Sequence, residues 1–145
     1  MLIRVALAIV FIYHGLGKIQ NLSQTVGFFG SSGLPQVLAY LVTAIEFFGG
    51  IFMLLGIFTT VAGIGITAVM IGAILTVHLK QVLGTGFTIQ SLIGAIELPL
   101  TLLLTALAIA FAGPGSFTIA KLLSPKKELE KNKKSPQQTT PEKSA

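Results

Sequence analysis

The chain has 145 residues, of which 52% are hydrophobic and 10% are charged, and its formal net charge is +5. Soluble domains carry about 25% charged residues, so the composition favours an integral membrane protein. Much of the positive charge lies from Lys121 onward, behind the apolar region, which favours anionic lipid headgroups over nucleic acid as its partner. Because the chain has no cysteine, disulfides, thiol catalysis and cysteine-ligated metal centres are excluded.

Four apolar runs predict four transmembrane helices, at about residues 2–20, 35–56, 59–79 and 90–112. Between the first two helices, residues 21–33 predict a loop with helical pieces at the membrane interface. The sequence therefore predicts an all-α fold, a four-helix transmembrane bundle in a domain of residues 1–124. Residues 125–145 are Lys, Glu, Gln, Thr and Pro without apolar periodicity, and we expect them to form a disordered basic tail.

The distribution of basic residues predicts the orientation in the bilayer. Four spans place both termini on one side, and that side carries Arg4 and the tail lysines, whereas the opposite loops carry Lys18 and Lys80. By the positive-inside rule, both termini are expected in the cytoplasm, in a plasma or inner membrane. Arg4 is interpreted as an anchor at the inner surface.

Ionisable residues interrupt all four apolar runs. His14 and Lys18 are four residues apart, the spacing that places two side chains on one helix face. The predicted orientation puts Glu46 near the midplane, His78 at the outer edge and Glu97 roughly 9 Å below the outer surface. An ionisable residue in a membrane span is costly and is by default a functional candidate. The candidate polar pocket, in the outer half of the bundle, is formed by His14, Lys18, Glu46, Glu97 and His78. The alternative is a polar clamp that only fixes the register of the helices.

The third apolar run is rich in small residues. Ala68 and Gly72 stand four residues apart, the spacing at which membrane helices approach one another closely. This run is therefore predicted to pack tightly against a neighbouring helix.

The order of these residues resembles that in the DoxX family of small four-helix membrane proteins. The resemblance covers about residues 1–118 and is carried by Arg4, His14-Gly15, Lys18, Leu34-Pro35, Glu46-Phe47-Phe48-Gly49-Gly50, Leu55-Gly56, Met70, Ala73, His78, Glu97 and Gly113-Pro114-Gly115. The chain departs from the pattern at Thr59-Thr60, where many members have a basic residue. It also lacks the aspartate that follows the closing Gly-Pro-Gly in many members.

The resemblance implies a subunit of a redox-linked membrane complex that acts with a partner redox subunit. A quinone head group near a bilayer surface needs hydrogen-bond donors and a proton route, which His14 or Lys18 and Glu46 or Glu97 would supply. Our hypothesis is an oxidoreductase subunit that binds a quinone or a similar small apolar redox molecule. The alternatives are a proton-coupled carrier for a small solute and a non-catalytic membrane scaffold, and association into a homo-oligomer is compatible with each.

The sequence limits which cofactors can be expected. No side chain of this chain carries electrons by itself, so a redox role requires a bound cofactor, a bound substrate or a partner subunit. No metal site is predicted. A haem between His14 and His78 is disfavoured, because the position of His78 at a helix end has a simpler explanation in solvation.

Overall fold

A computed structural model describes residues 1–113, and the regular secondary structure in this part of the chain is all helical. The helices are α1 (Leu2–Gln20), α2 (Leu22–Ser31), α3 (Val37–Leu55), α4 (Thr59–Ala73), a π-helical segment (Ile74–His78), α5 (Leu79–Thr85) and α6 (Ile89–Ala112). Four spans are long and apolar enough to cross a membrane: Leu2–Gln20, Val37–Leu55, Thr59–Gly84 and Ile89–Ala112. The all-α prediction with four membrane spans is confirmed. The predicted tail and the closing Gly-Pro-Gly turn after Gly113 lie outside the described residues.

The third span is longer than the predicted helix of residues 59–79. His78 and Lys80 do not end it, because no helix-breaking residue follows them until Gly84, and the chain continues helically to Thr85. Gly86 then adopts a positive φ of 98°, a backbone conformation that glycine reaches without steric cost. The predicted loop of residues 21–33 is also more regular than expected, since ten of its residues form α2.

Local capping motifs set the end of α3 and the start of α6. Gly56 ends α3 in the left-handed conformation, and the amides of Gly56 and Ile57 donate to carbonyls of the last turn. Thr88 begins α6 with a capping box, in which its side chain accepts from the Ser91 amide while the Ser91 hydroxyl accepts from the Thr88 amide. Both ends are therefore satisfied within the chain.

The four spans form a closed arrangement in which α1 packs on α3, α3 on α4, α4 on α6, and α6 on α1. The largest fully buried side chains are Phe11, Met53 and Ile66. Phe11 precedes Lys18 by seven residues on α1, and Met53 follows Glu46 by seven residues on the antiparallel α3. The apolar core therefore lies about 10 Å closer than Lys18 and Glu46 do to the end of the bundle that contains Arg4. We call the opposite end the Lys18 end.

Glycines bring the helix backbones together. A Cβ on Gly50 would lie 2.8 Å from the backbone nitrogen of Ile12, and one on Gly63 would lie 2.9 Å from the carbonyl oxygen of Ala106. Ala68 and Gly72 instead line a cavity at the side of the bundle. Arg4 is only 7% exposed, so its side chain is buried within the protein at its end of the bundle, and its role as an anchor at the inner membrane surface stays a prediction.

Candidate functional site

An ion pair joins α1 to α3 at the Lys18 end. The Lys18 ammonium donates to the carboxylate of Glu46. The local cause is Gly15, because a Cβ there would lie 2.6 Å from the Phe47 nitrogen, so the two backbones touch at this point. Lys18 follows Gly15 by one helical turn and Glu46 precedes Phe47 directly, which brings the two charged groups together.

The two partners differ in burial. The side chain of Glu46 is 4% exposed, whereas that of Lys18 is 28% exposed. A carboxylate removed from water needs a counter-charge, and Lys18 is the one within ion-pair distance among residues 1–113. The side chain of Lys18 is partly exposed, so a ligand could contact the ion pair from the Lys18 side, whereas the Glu46 side is buried.

The Lys18 side of the ion pair borders a mostly apolar cavity of about 550 Å³. Its polar lining residues are Lys18, Gln24, Thr25, Glu46 and Thr76. The rest of its wall is apolar and comes from α2, α3, α4, the π-helical segment and Leu34 in the connection between α2 and α3. Leu41 and Ala68, which also line it, are exposed, so the cavity opens toward the membrane-facing side of α3 and α4.

The small residues of α4 create this space. Ala68, Gly72 and Ala73 all line the cavity, and a Cβ on Gly72 would have no atom within 4 Å. The close helix approach predicted for Ala68 and Gly72 is instead made by Gly63, one turn or more nearer the Arg4 end. Immediately after Ala73 the helix widens into the π-helical segment, a feature often found at functional sites.

His78 lines a different cavity, of about 450 Å³, between the third and fourth spans. Gln81, Ser91 and Pro99 also line it, and Lys18 and Glu46 do not. His78 is thus separated from the ion pair by the wall of the third span.

His14 and Glu97 are both exposed and line neither cavity. His14 makes an edge-on contact with the ring of Tyr13. Four residues rotate a helix by about 400°, so the face of Lys18 is offset by about 40° from that of His14. On α1 this offset is enough to place Lys18 toward the interior and His14 on the surface. Of the five predicted residues, the structure therefore brings Lys18 and Glu46 together, and places His78, His14 and Glu97 elsewhere.

Sequence reasoning missed the contribution of α2 to the cavity. Gln24, Thr25, Phe28 and Phe29 line its wall. The signal was present, because Gln24 and Phe28 are four residues apart and Thr25 and Phe29 are four residues apart, which places each pair on one helix face. An interfacial segment with such a face can cover a cavity as well as lie on lipid.

These features define a small multi-pass membrane protein whose buried ion pair borders an apolar cavity. The chain belongs to the DoxX family, whose model matches residues 1–79. It is 39% identical over 113 residues to a Bacillus subtilis (strain 168) protein named "Putative oxidoreductase CatD", with 78% of each chain covered. No protein of solved structure matches the chain significantly. The predicted family is therefore confirmed.

Proposed function

We propose that this protein is a subunit of a redox-linked membrane complex, and that it binds a quinone or a similar small apolar redox molecule in the cavity beside Lys18 and Glu46. The observation that carries the proposal is the combination of an apolar cavity with one charged pair in its wall. The name of the Bacillus subtilis relative, "Putative oxidoreductase CatD", supports the redox class.

The dimensions and lining suit such a ligand. Cavities that bind small molecules have volumes of about 300–1,000 Å³ and combine mostly apolar walls with a few polar groups. Phe28 and Phe29 offer ring faces and edges to a flat head group. The opening toward lipid would admit an isoprenoid tail.

The ion pair supplies the polar chemistry. Lys18 would donate a hydrogen bond to a quinone carbonyl, and Glu46 would exchange the protons that accompany reduction. Conversion of a quinone to a quinol takes up two electrons and two protons. The electrons would come from a partner redox subunit or its cofactor, because protein side chains in this cavity do not carry them.

The core favours a binding site over a carrier pathway. Phe11, Met53 and Ile66 are fully buried between the ion pair and the Arg4 end. A solute moving past Glu46 would have to displace this packed layer, whereas a ligand bound at the cavity would leave it intact.

Titration of the purified protein with a water-soluble ubiquinone or menaquinone analogue tests the proposal. We expect saturable binding to the native chain, and at least about tenfold weaker binding to Gly72→Leu, because the added side chain occupies the cavity and costs at least about 1.4 kcal/mol of binding free energy. Gly72 has open space around it, so the bundle itself should tolerate the change.

The matched control is Gly94→Leu, which introduces the same side chain into the second cavity. It is expected to bind like the native chain. Equal binding by both leucine variants would contradict the proposal, and a loss confined to Gly94→Leu would move the site to the cavity of His78.

A further inference from the structure

The fourth span has a polar face directed away from the bundle. In its most apolar window only 11% of the residues are buried, against 28–33% in the other three spans. Glu97, Thr101, Leu104 and Ala108 are all exposed and follow the spacing of a single helix face. This side of α6 therefore carries a carboxylate at a position where the rest of the fold would place it in lipid.

Glu97 has no counter-charge within residues 1–113. Its carboxylate makes neither a hydrogen bond nor an ion pair with the described residues, and the hydroxyl of Thr101 donates to its backbone carbonyl. A charged side chain facing hydrocarbon near the centre of a span costs about 2.5–3.5 kcal/mol on insertion scales. A carboxylate in this position is more stable against a basic group of another chain than against lipid.

The neighbouring helix carries the complementary group. His14 is exposed on α1, the span that contacts α6, and within residues 1–113 its ring makes an edge-on contact with Tyr13 but no ion pair. His14 lies six residues before the end of α1, about 9 Å, and Glu97 lies eight residues after the start of α6, about 12 Å. The last residue of α1 and the first residue of α6 both lie at the Lys18 end of the bundle, so His14 and Glu97 lie at nearly the same depth.

We propose that two copies of this chain associate through the surface formed by α1 and α6, and that His14 of each copy pairs with Glu97 of the other. A two-fold axis along the membrane normal preserves depth, so one operation forms both pairs at once. Ala6 on α1 and Ala108 on α6 are also exposed, and small exposed side chains let membrane helices approach closely. This association is independent of what the cavity binds.

Half-pair complementation tests the proposal in bilayers. One tagged chain carries His14→Gln and a second carries Glu97→Gln, and association is followed by energy transfer between labels. A dimer of either variant alone has no His14–Glu97 pair, whereas the mixed dimer keeps one, between His14 of the Glu97→Gln chain and Glu97 of the His14→Gln chain. We expect the mixed dimer to be about three- to eighteenfold tighter than either variant dimer, from the mean to the largest contribution of polar contacts between membrane helices. A mixed dimer no tighter than the two variant dimers would overturn the proposal.

Thiol cross-linking in native membranes locates the contact, since the chain has no cysteine of its own. Ala6 and Ala108 each lie four residues, about 6 Å, from the helix ends opposite the Lys18 end. Co-expressed Ala6→Cys and Ala108→Cys chains are expected to cross-link. The control replaces Ala108→Cys with Ile64→Cys, at similar depth on the exposed face of α4. Equal yields in the two mixtures, or cross-linking of Ala108→Cys only to a protein of different size, would contradict a self-association through this face.

Discussion

Replacement of Lys18 by methionine is expected to lower the free energy of unfolding by about 3–5 kcal/mol, the cost of removing one partner of a buried ion pair. The reason is the burial of Glu46, whose side chain is 4% exposed and would be left charged without a counter-ion. Equilibrium unfolding in mixed micelles, followed by circular dichroism, measures the change.

The two partners should not be equivalent. Glu46→Gln is expected to be milder than Lys18→Met, because the 28% exposed Lys18 can turn its ammonium toward water once it is released. The double variant Lys18→Met with Glu46→Met should recover most of the lost stability, since it buries no charge at all. If the double variant were as unstable as Lys18→Met alone, the loss would reflect packing of the lysine stem instead of an uncompensated carboxylate.

The second large effect is expected at the contact between α1 and α3. Gly15→Ala should destabilise the fold by about 1–3 kcal/mol, as overpacking of a close contact does. The added Cβ would meet the Phe47 nitrogen at 2.6 Å and its Cα at 2.7 Å, and backbone atoms cannot rotate away as a side chain can. Gly50→Ala should behave similarly, because its Cβ would meet the backbone of Ile12 at 2.8 Å.

Gly17 provides the matched control on the same helix. A Cβ there would have no atom within 4 Å, so Gly17→Ala is expected to be neutral or to stabilise by up to about 1 kcal/mol through helix propensity. Thermal unfolding of the three variants in one detergent compares them. Should Gly15→Ala and Gly17→Ala unfold at the same temperature, the two helices would not be held as closely as the structure has them.

The separation of α1 from α3 would also weaken the ion pair. Lys18 is placed by the turn that begins at Gly15, so a displaced α1 moves the ammonium away from Glu46. A double-mutant cycle between Gly15→Ala and Lys18→Met should therefore show less than additive losses. Additive losses would mean that the ion pair forms independently of the glycine contact.

The sequence by itself determined the membrane-spanning fold. Runs of about 20 apolar residues have one stable form in lipid, a helix that satisfies its own backbone, so four such runs specify four spans. The charges within these runs were equally conspicuous, and Lys18 and Glu46 were found by that signal alone. The ordered motifs around them also predicted the DoxX family, which the match over residues 1–79 confirmed.

Only the tertiary structure decided which helix faces point inward. In a soluble helix the polar face marks the outside, but lipid is as apolar as a protein core, so an apolar span carries little information about its orientation. His14 and Lys18 looked equivalent in sequence. The contact of Gly15 with α3 set the rotation of α1, which put Lys18 toward the interior and His14 on the surface. The same packing left Ala68 and Gly72 beside a cavity and turned Glu97 away from the bundle. Each of these outcomes depends on contacts between helices far apart in the chain, which local periodicity does not encode.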